Sequence, residues 1–404
     1  MSSEFLNFIF SLVLIIIAAK LAGFITTRLG QPSVLGELLA GLIMGPTILD
    51  LFHTVPFLAE DHTLLETIKM MAELGVILLM FLAGLELDLA ELLRSGRISA
   101  LSGTMGVILP FALGTGTALL FDAPLQQAVF VGLALSATSV SISAQTLIEL
   151  NVLSSRVGLA LLGAAVFDDV LVILLLSVVS LLVGGTGGFG DILLTILRMA
   201  GFLVGSSLIG FFLLPPLVRW VDRLPISQST IAFVLCATLV FAWSAEVIGG
   251  VAAITGAFMV GLFLGRLSFK EQIEHGFAVM AYGFFVPIFF VNIGLEVNMR
   301  AISGPDWLYA ISLTLVAIIS KIIGCGFGAN LSGFSRLESL RLGIGMVSRG
   351  EVGLIVASFA LSQGLLSSST FSIVVFMVIF ATLVTPPLLR FVYSPRFSEP
   401  VSTG

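Results

Sequence analysis

Residues 161–177 read LLGAAVFDDVLVILLLS, an apolar segment interrupted only by the adjacent acids Asp168 and Asp169. The uninterrupted hydrophobicity on both sides marks a membrane-crossing helix. An ionised carboxylate at the bilayer centre costs a few kcal/mol or more, so such a residue faces a cavity or a partner and has a function by default. Two carboxylates side by side also repel one another, which helps the pair to hold a proton. A site that trades a proton for a cation near neutral pH needs acids of this kind. The structural alternative is a buried acid pair neutralised by basic neighbours. In a chain this apolar the functional reading is the stronger one.

The rest of the chain has the same character. It has 404 residues, 58% of them hydrophobic and only 10% charged, with mean hydropathy +1.16. Repeated apolar runs predict thirteen spans, at roughly 5–28, 32–52, 63–88, 98–121, 125–149, 155–184, 190–222, 228–248, 250–267, 272–297, 306–330, 338–362 and 368–393. The expected fold class is therefore an all-α polytopic membrane protein. The first run begins with Glu4, lacks a basic n-region and reads as a retained helix rather than a signal peptide. Net charge −6 argues against nucleic acid as a partner, no cofactor is expected, and Cys236 and Cys325 lie inside apolar runs, so no disulfide framework is indicated. Alternate connections collect Arg28, Arg94, Arg97, Arg156, Arg219, Arg223, Arg266, Lys270, Arg336 and Arg341, and the C-terminal end adds Arg390 and Arg396. The opposite connections hold Arg300 alone beside acids such as Asp50, Glu60, Asp61, Asp122 and Asp191. That bias predicts a cytoplasmic C-terminus and an outside N-terminus in the cell membrane.

The two halves resemble each other. Gly84-Leu85-Glu86-Leu87-Asp88 in the third span returns as Gly294-Leu295-Glu296-Val297-Asn298 in the tenth, and Gly41-Leu42-Ile43-Met44-Gly45 in the second as Gly261-Leu262-Phe263-Leu264-Gly265 in the ninth. Both pairs are seven spans apart, and an odd offset reverses direction through the membrane, which is the mark of an inverted repeat. Applying the offset of the first pair to Thr138 in the fifth span leads to Ser348 in the twelfth. Thr138 lies in a polar run, residues 136–143 (SATSVSIS), and Ser348 in Val347-Ser348-Arg349-Gly350-Glu351. Paired polar interruptions in corresponding helices point to a transporter site, where unwound backbone offers carbonyls and helix ends to an ion. Ser348 and Gly350 are the expected break residues. Serine and threonine also bond back to helix carbonyls in ordinary helices; the match between the two spans favours the site.

At a rise of about 1.5 Å per residue, Asp168 lies roughly 18 Å from the cytoplasmic end of its span and Lys321 roughly 22 Å from the outer end of its own. Asp168, Asp169, Glu351, Lys321 and Arg349 therefore share the bilayer centre, three negative charges against two positive. One carboxylate is left for one monovalent cation or one proton. The assignment that suits these charges sets Lys321 with Asp168 and Arg349 with Glu351, leaving Asp169 as the carrier. Arg349 and Glu351 are two residues apart and face each other only if the helix is broken. Lys69 stands within helical reach of Glu66 and Glu73, so a local ion pair is expected; Lys20 and Arg198 receive no role.

These residues resemble those of the bacterial sodium/proton antiporters of the monovalent cation:proton antiporter superfamily, in particular the thirteen-helix branch with an aspartate pair. The resemblance covers nearly the whole chain. It rests on Gln31-Pro32, Gly36-Glu37-Leu38-Leu39-Ala40-Gly41, Gly45-Pro46, Ala72-Glu73-Leu74-Gly75, Phe81-Leu82-Ala83-Gly84-Leu85-Glu86, Ala137-Thr138-Ser139, Phe167-Asp168-Asp169, Lys321 and Arg349-Gly350-Glu351-Val352-Gly353-Leu354. It implies two crossed, broken helices in a homodimeric antiporter, with Asp169 carrying cation and proton, Asp168 its partner and Lys321 a competing cation. Asp168, Asp169, Thr138 and Ser139 would hold Na+ or a similar ion, with Lys321, Arg349 and Glu351 balancing charge. Residues 98–184 and 306–393 would form the core, 1–97 and 185–305 the dimerisation scaffold and connecting helices, and 394–404 a short tail that leaves no room for a nucleotide-binding regulator. Relatives often carry proline where this chain has Ser348, so the second break is expected to differ in shape. The alternatives are a potassium-efflux antiporter without a regulatory domain, a bile-acid-type symporter and an intramembrane aspartyl protease. The last is suggested by Gly188-Phe189-Gly190-Asp191, but none of Tyr282, Tyr309 and Tyr393 precedes the second aspartate that such an enzyme needs.

Overall fold

The computed structural model describes residues 3–59, 63–87, 94–184, 189–267, 269–296, 298–302 and 304–394. Among them are ten helices long and apolar enough to cross a membrane. In chain order the helices are α1 (Ser3–Arg28), α2 (Ser33–Met44), α3 (Leu64–Glu86), α4 (Gly96–Leu120), α5 (Leu125–Ser136) and α6 (Val140–Glu149). There follow α7 (Arg156–Gly184), α8 (Phe189–Phe212), α9 (Leu214–Asp222), α10 (Ser229–Ser244), α11 (Ala253–Leu264) and α12 (Lys270–Met280). The last are α13 (Val286–Leu295), α14 (Trp307–Leu331), α15 (Arg336–Gly345), α16 (Glu351–Ser362) and α17 (Ser368–Val392). The expected second, ninth and twelfth spans hold shorter apolar helices. The second stops at Met44 because Gly45-Pro46 follows, and two single-turn helices, Leu51–Thr54 and Pro56–Ala59, take up the rest. Asp61, Asp88, Val297, Arg396 and the tail beyond Ser394 lie outside the described residues.

Contacts divide the chain into two compact units. The first comprises Met1–Ala22, Glu37–Arg94 and Asp169–Arg300. Its helices approach at glycines, as polar-poor membrane helices do when backbone must meet backbone. A methyl group on Gly41 of α2 would run into the Val291 carbonyl of α13, and one on Gly294 of α13 into the Leu42 amide. In the same way a methyl on Gly84 of α3 would strike the Phe258 carbonyl of α11, and one on Gly261 of α11 the Phe81 carbonyl. The correspondence that takes α2 to α11 and α3 to α13 exchanges one seam for the other, as a repeat would. Farther along, Met199, Phe202, Ala245, Val251, Met259 and Phe263 form an apolar cluster to which Val170, Ile173 and Leu174 of α7 add their side chains.

The stray cations of this unit have local work. Five-residue π-helical turns, Ala245–Gly249 and Ala281–Phe285, take carbonyls out of the regular ladder. Arg198 donates to Val247 O and Ile248 O at 2.8 and 3.1 Å in the first. Lys20 donates to Tyr282 O at 2.9 Å in the second and pairs with buried Glu37 at 3.4 Å. The ion pair of Lys69 is with Glu296 at 3.7 Å, across helices, and not with Glu66 or Glu73 of its own. Helical spacing permits the local pair, but an exposed lysine gains little from any one acid, and packing brings Glu296 within reach.

The second unit comprises Gly23–Gly36, Ser95–Asp168 and Ala301–Gly404. Here α4 and α14 are the close pair: methyl groups on Gly324 and Gly328 would press on the Met105 and Leu101 carbonyls at 2.6 and 2.5 Å. Helix ends are capped where they leave the apolar interior. Ser335 and Glu338 form a capping box on α15, Ser367 caps α17, and Glu149 receives both the Ser33 amide and hydroxyl at 2.6 Å at the start of α2.

Candidate ion-binding site

The polar run of the fifth span is where its helix stops. α5 ends at Ser136, Ala137 and Ser139 are extended (φ −62°, ψ 144° and φ −101°, ψ 111°), and α6 resumes at Val140. In the twelfth span α15 ends at Gly345 and α16 begins at Glu351, with Gly350 extended at φ −154°, ψ −148°. Each interruption leaves amides and carbonyls outside the helical ladder, and the two satisfy one another. Ser139 N–H donates to Ser348 O at 2.9 Å, and the Ser348 hydroxyl donates to Ser139 O at 2.5 Å. Ser143 Oγ lies 2.9 Å from Ser348 Oγ and donates to Gly345 O at 2.5 Å. Gly350 is glycine because a methyl group there would stand 2.6 Å from Ser139 Cβ. The sequence offset from Thr138 to Ser348 thus leads to two segments in direct contact.

Beside this contact Lys321 of α14 is fully buried. Its ammonium is 2.8 Å from Asp168 Oδ1, 2.7 Å from Gly106 O and 2.7 Å from Ser136 O. Asp168 is fully buried as well. The Thr138 hydroxyl is near enough to Asp168 to act on it, yet neither Thr138 Oγ1 nor Asp168 Oδ2 has a hydrogen-bond partner of ordinary geometry among the described residues. Asp169 follows on α7 and is 7% exposed.

Arg349 is also fully buried. Its guanidinium donates to Ala317 O at 3.0 Å and Met346 O at 3.3 Å. Thr382 of α17 fixes its backbone, accepting from the amide at 3.3 Å and donating to the carbonyl at 2.6 Å. The Glu351 side chain, expected to pair with Arg349, lies outside the described residues, as do Gly188 and the Asp191 side chain of the protease-like motif. The structure therefore brings together Lys321, Asp168, Thr138, Ser139, Ser348 and Gly350. Reasoning from side chains missed the carbonyls of Gly106, Ser136 and Ala317, and Thr382. Ser143 belongs to the polar run already singled out, whereas backbone acceptors leave a sequence signal only at a helix end or four residues before a proline.

Comparison with known proteins points the same way. Residues 13–393 match the family model described as sodium/hydrogen exchanger, transmembrane. The chain is 40% identical over 393 residues to the Na(+)/H(+)-K(+) antiporter GerN of Bacillus cereus, covering 96% of this chain and 97% of that protein. It is 37% identical over 421 residues to the high-affinity Na(+)/H(+) antiporter NhaS3 of Synechocystis, covering 96% and 90%. The solved structure of the sodium proton antiporter MjNhaP1 from Methanocaldococcus jannaschii superposes with TM-score 0.69 over 96% of this chain and 97% of that one, at 17% identity, which is a likeness of fold. By sequence along almost its whole length, this multi-pass membrane protein belongs to the sodium/hydrogen exchanger family.

Proposed function

We propose that the protein exchanges protons for a monovalent cation across the membrane by alternating access, with sodium as the cargo. The observation that carries this reading is the desolvated Lys321–Asp168 pair beside the Thr138 hydroxyl, with Asp168 Oδ2 buried and, among the described residues, without a hydrogen-bond partner of ordinary geometry. A buried carboxylate oxygen in that state is suited to hold a cation or a proton. In this reading Asp169 carries cation or proton in turn, Thr138 and Ser139 supply neutral oxygens, and Lys321 competes with the cation for Asp168. Arg349, with Glu351, balances the remaining charge and holds the second interruption in shape.

The same reading takes the short helices as true spans, giving thirteen crossings in an inverted repeat, a cytoplasmic C-terminus, a homodimer and a place in the cell membrane. The names carried by GerN and NhaS3 support sodium, and that of GerN keeps potassium as the second cargo. The test is proton flux from purified protein in liposomes, scanned over sodium, lithium and potassium. Sodium-driven flux is expected, with its loss in Asp169→Asn at unchanged folding, because an amide cannot exchange a proton. Flux driven by potassium alone would replace the cargo, and undiminished exchange by Asp169→Asn would move the carrier role to Asp168.

A further inference from the structure

The three acceptors around Lys321 have different origins. Asp168 is a side chain; Ser136 O belongs to the last residue of α5 and has left the ladder because the helix stops there. Gly106 O lies inside continuous α4, where its regular partner would be the amide of residue 110. Residue 110 is Pro110, which has no amide proton and whose ring presses on the carbonyl four residues back. Proline is tolerated inside membrane helices where a neighbour supplies the missing donor. For Gly106 O that neighbour is the Lys321 ammonium, at 2.7 Å. The next carbonyl of the same turn, Val107 O, receives the Ser136 hydroxyl at 3.2 Å. An ammonium has three donors, and here each has one acceptor. Gly106 itself must lack a side chain, since a methyl group there would collide with Cys325 Sγ and stand 3.6 Å from Lys321 Nζ.

We propose that Pro110 is a positioning residue for exchange: by withholding an amide proton it reserves the Gly106 carbonyl for Lys321 and so sets how strongly that lysine competes with the transported cation. The inference rests on the exchange reading above. The charged and titratable groups that face Lys321 are Asp168 from α7, Arg349 from the link between α15 and α16, and Cys325 on its own helix. Asp168 is the one that a cation would draw away. The Gly106 and Ser136 carbonyls stay, keep the ammonium in place, and favour its charged form. A proline that only bends or packs α4 would have no such effect on ion competition.

Pro110→Ala and Pro110→Gly both restore an amide that bonds Gly106 O and competes for it with Lys321, weakening the bond to the ammonium. Both variants are expected to move the onset of exchange to lower pH by about one unit, the effect of one hydrogen bond to a charged group. At fixed pH half-saturating sodium should fall by about tenfold for the same reason, with the maximal rate changing less. Sodium-dependent thermal stabilisation of purified protein, which needs no turnover, should show the same tightening, and none of it when Pro110→Ala is made in a Lys321→Gln background. Alanine removes the proline defect, so the variant should fold at least as well as the parent. A structure of Pro110→Ala should place the new amide on Gly106 O and Lys321 Nζ away from it. An unchanged pH profile and sodium half-saturation in a variant with parental flux would overturn the proposal, as would the same tightening in the Lys321→Gln background. Absence of cation-driven flux in the parent overturns the exchange reading instead; the structure of the variant then decides whether Pro110 reserves the carbonyl.

Discussion

Lys321 and Asp168 are both removed from water, and each offsets the charge of the other from 2.8 Å away. Removing one partner of such a pair is far costlier than removing both, because it leaves a bare charge in a medium that cannot solvate it. Lys321→Ala should therefore lower stability by about 3–5 kcal/mol, and Asp168→Asn added to it should restore part of the loss. Thermal denaturation of the two single variants and the double variant measures this; strict additivity would mean that the residues do not interact. A smaller effect belongs to Ser348, whose hydroxyl reaches Ser139 O at 2.5 Å. Ser348→Ala leaves that carbonyl buried with one donor fewer and should cost about 1–3 kcal/mol in the same assay. Ser348→Thr keeps the hydroxyl and should lose less.

At the scale of elements, helices pack where a glycine lets backbone touch backbone. Gly41→Ala and Gly261→Ala each drive a methyl group into a carbonyl of the facing helix. Each should cost at least the roughly 1–3 kcal/mol of ordinary overpacking. The fraction of protein that stays monodisperse after mild heating checks the prediction. The same elements show what a sequence carries. The acids of α7, Lys321 and the polar run at residues 136–143 were legible because charge and hydroxyl are rare in lipid and have to be explained. The repeat offset marked the two interruptions as corresponding positions, and the structure shows that they touch. The Lys69–Glu296 pair was not, since choice among exposed acids is decided by packing across helices. Gly106 O and Ser136 O carry no side-chain signal at all. Their only mark is a proline four residues on, or a helix end, and neither says which donor will come.

For the whole molecule the question is what one turnover does to the membrane potential. In the exchange proposed above, a cation that displaced the proton of Asp169 and drew Asp168 from Lys321 would leave the lysine without its carboxylate in a dry place. On that proposal the lysine would then give up a second proton. Two protons moving against one cation carry net charge, and transport should generate current on a supported membrane and respond to a voltage set with potassium and valinomycin. Rates indifferent to that voltage would mean that the Lys321–Asp168 pair stays closed through the cycle. The glycine seams of the first unit also bear on how the protein is made. Gly41 meets α13 and Gly84 meets α11, so each early helix waits for a partner from beyond the middle of the chain. At ribosomal speeds of about 5–20 residues per second, Gly41 stands open for roughly 10–50 s before Gly294 is synthesised. Over that interval α2 and α3 sit in lipid with carbonyl-lined grooves unfilled, exposed to quality control. A chain stopped at Gly250 would never close either seam, and pulse-chase labelling should show it degraded while the full chain accumulates.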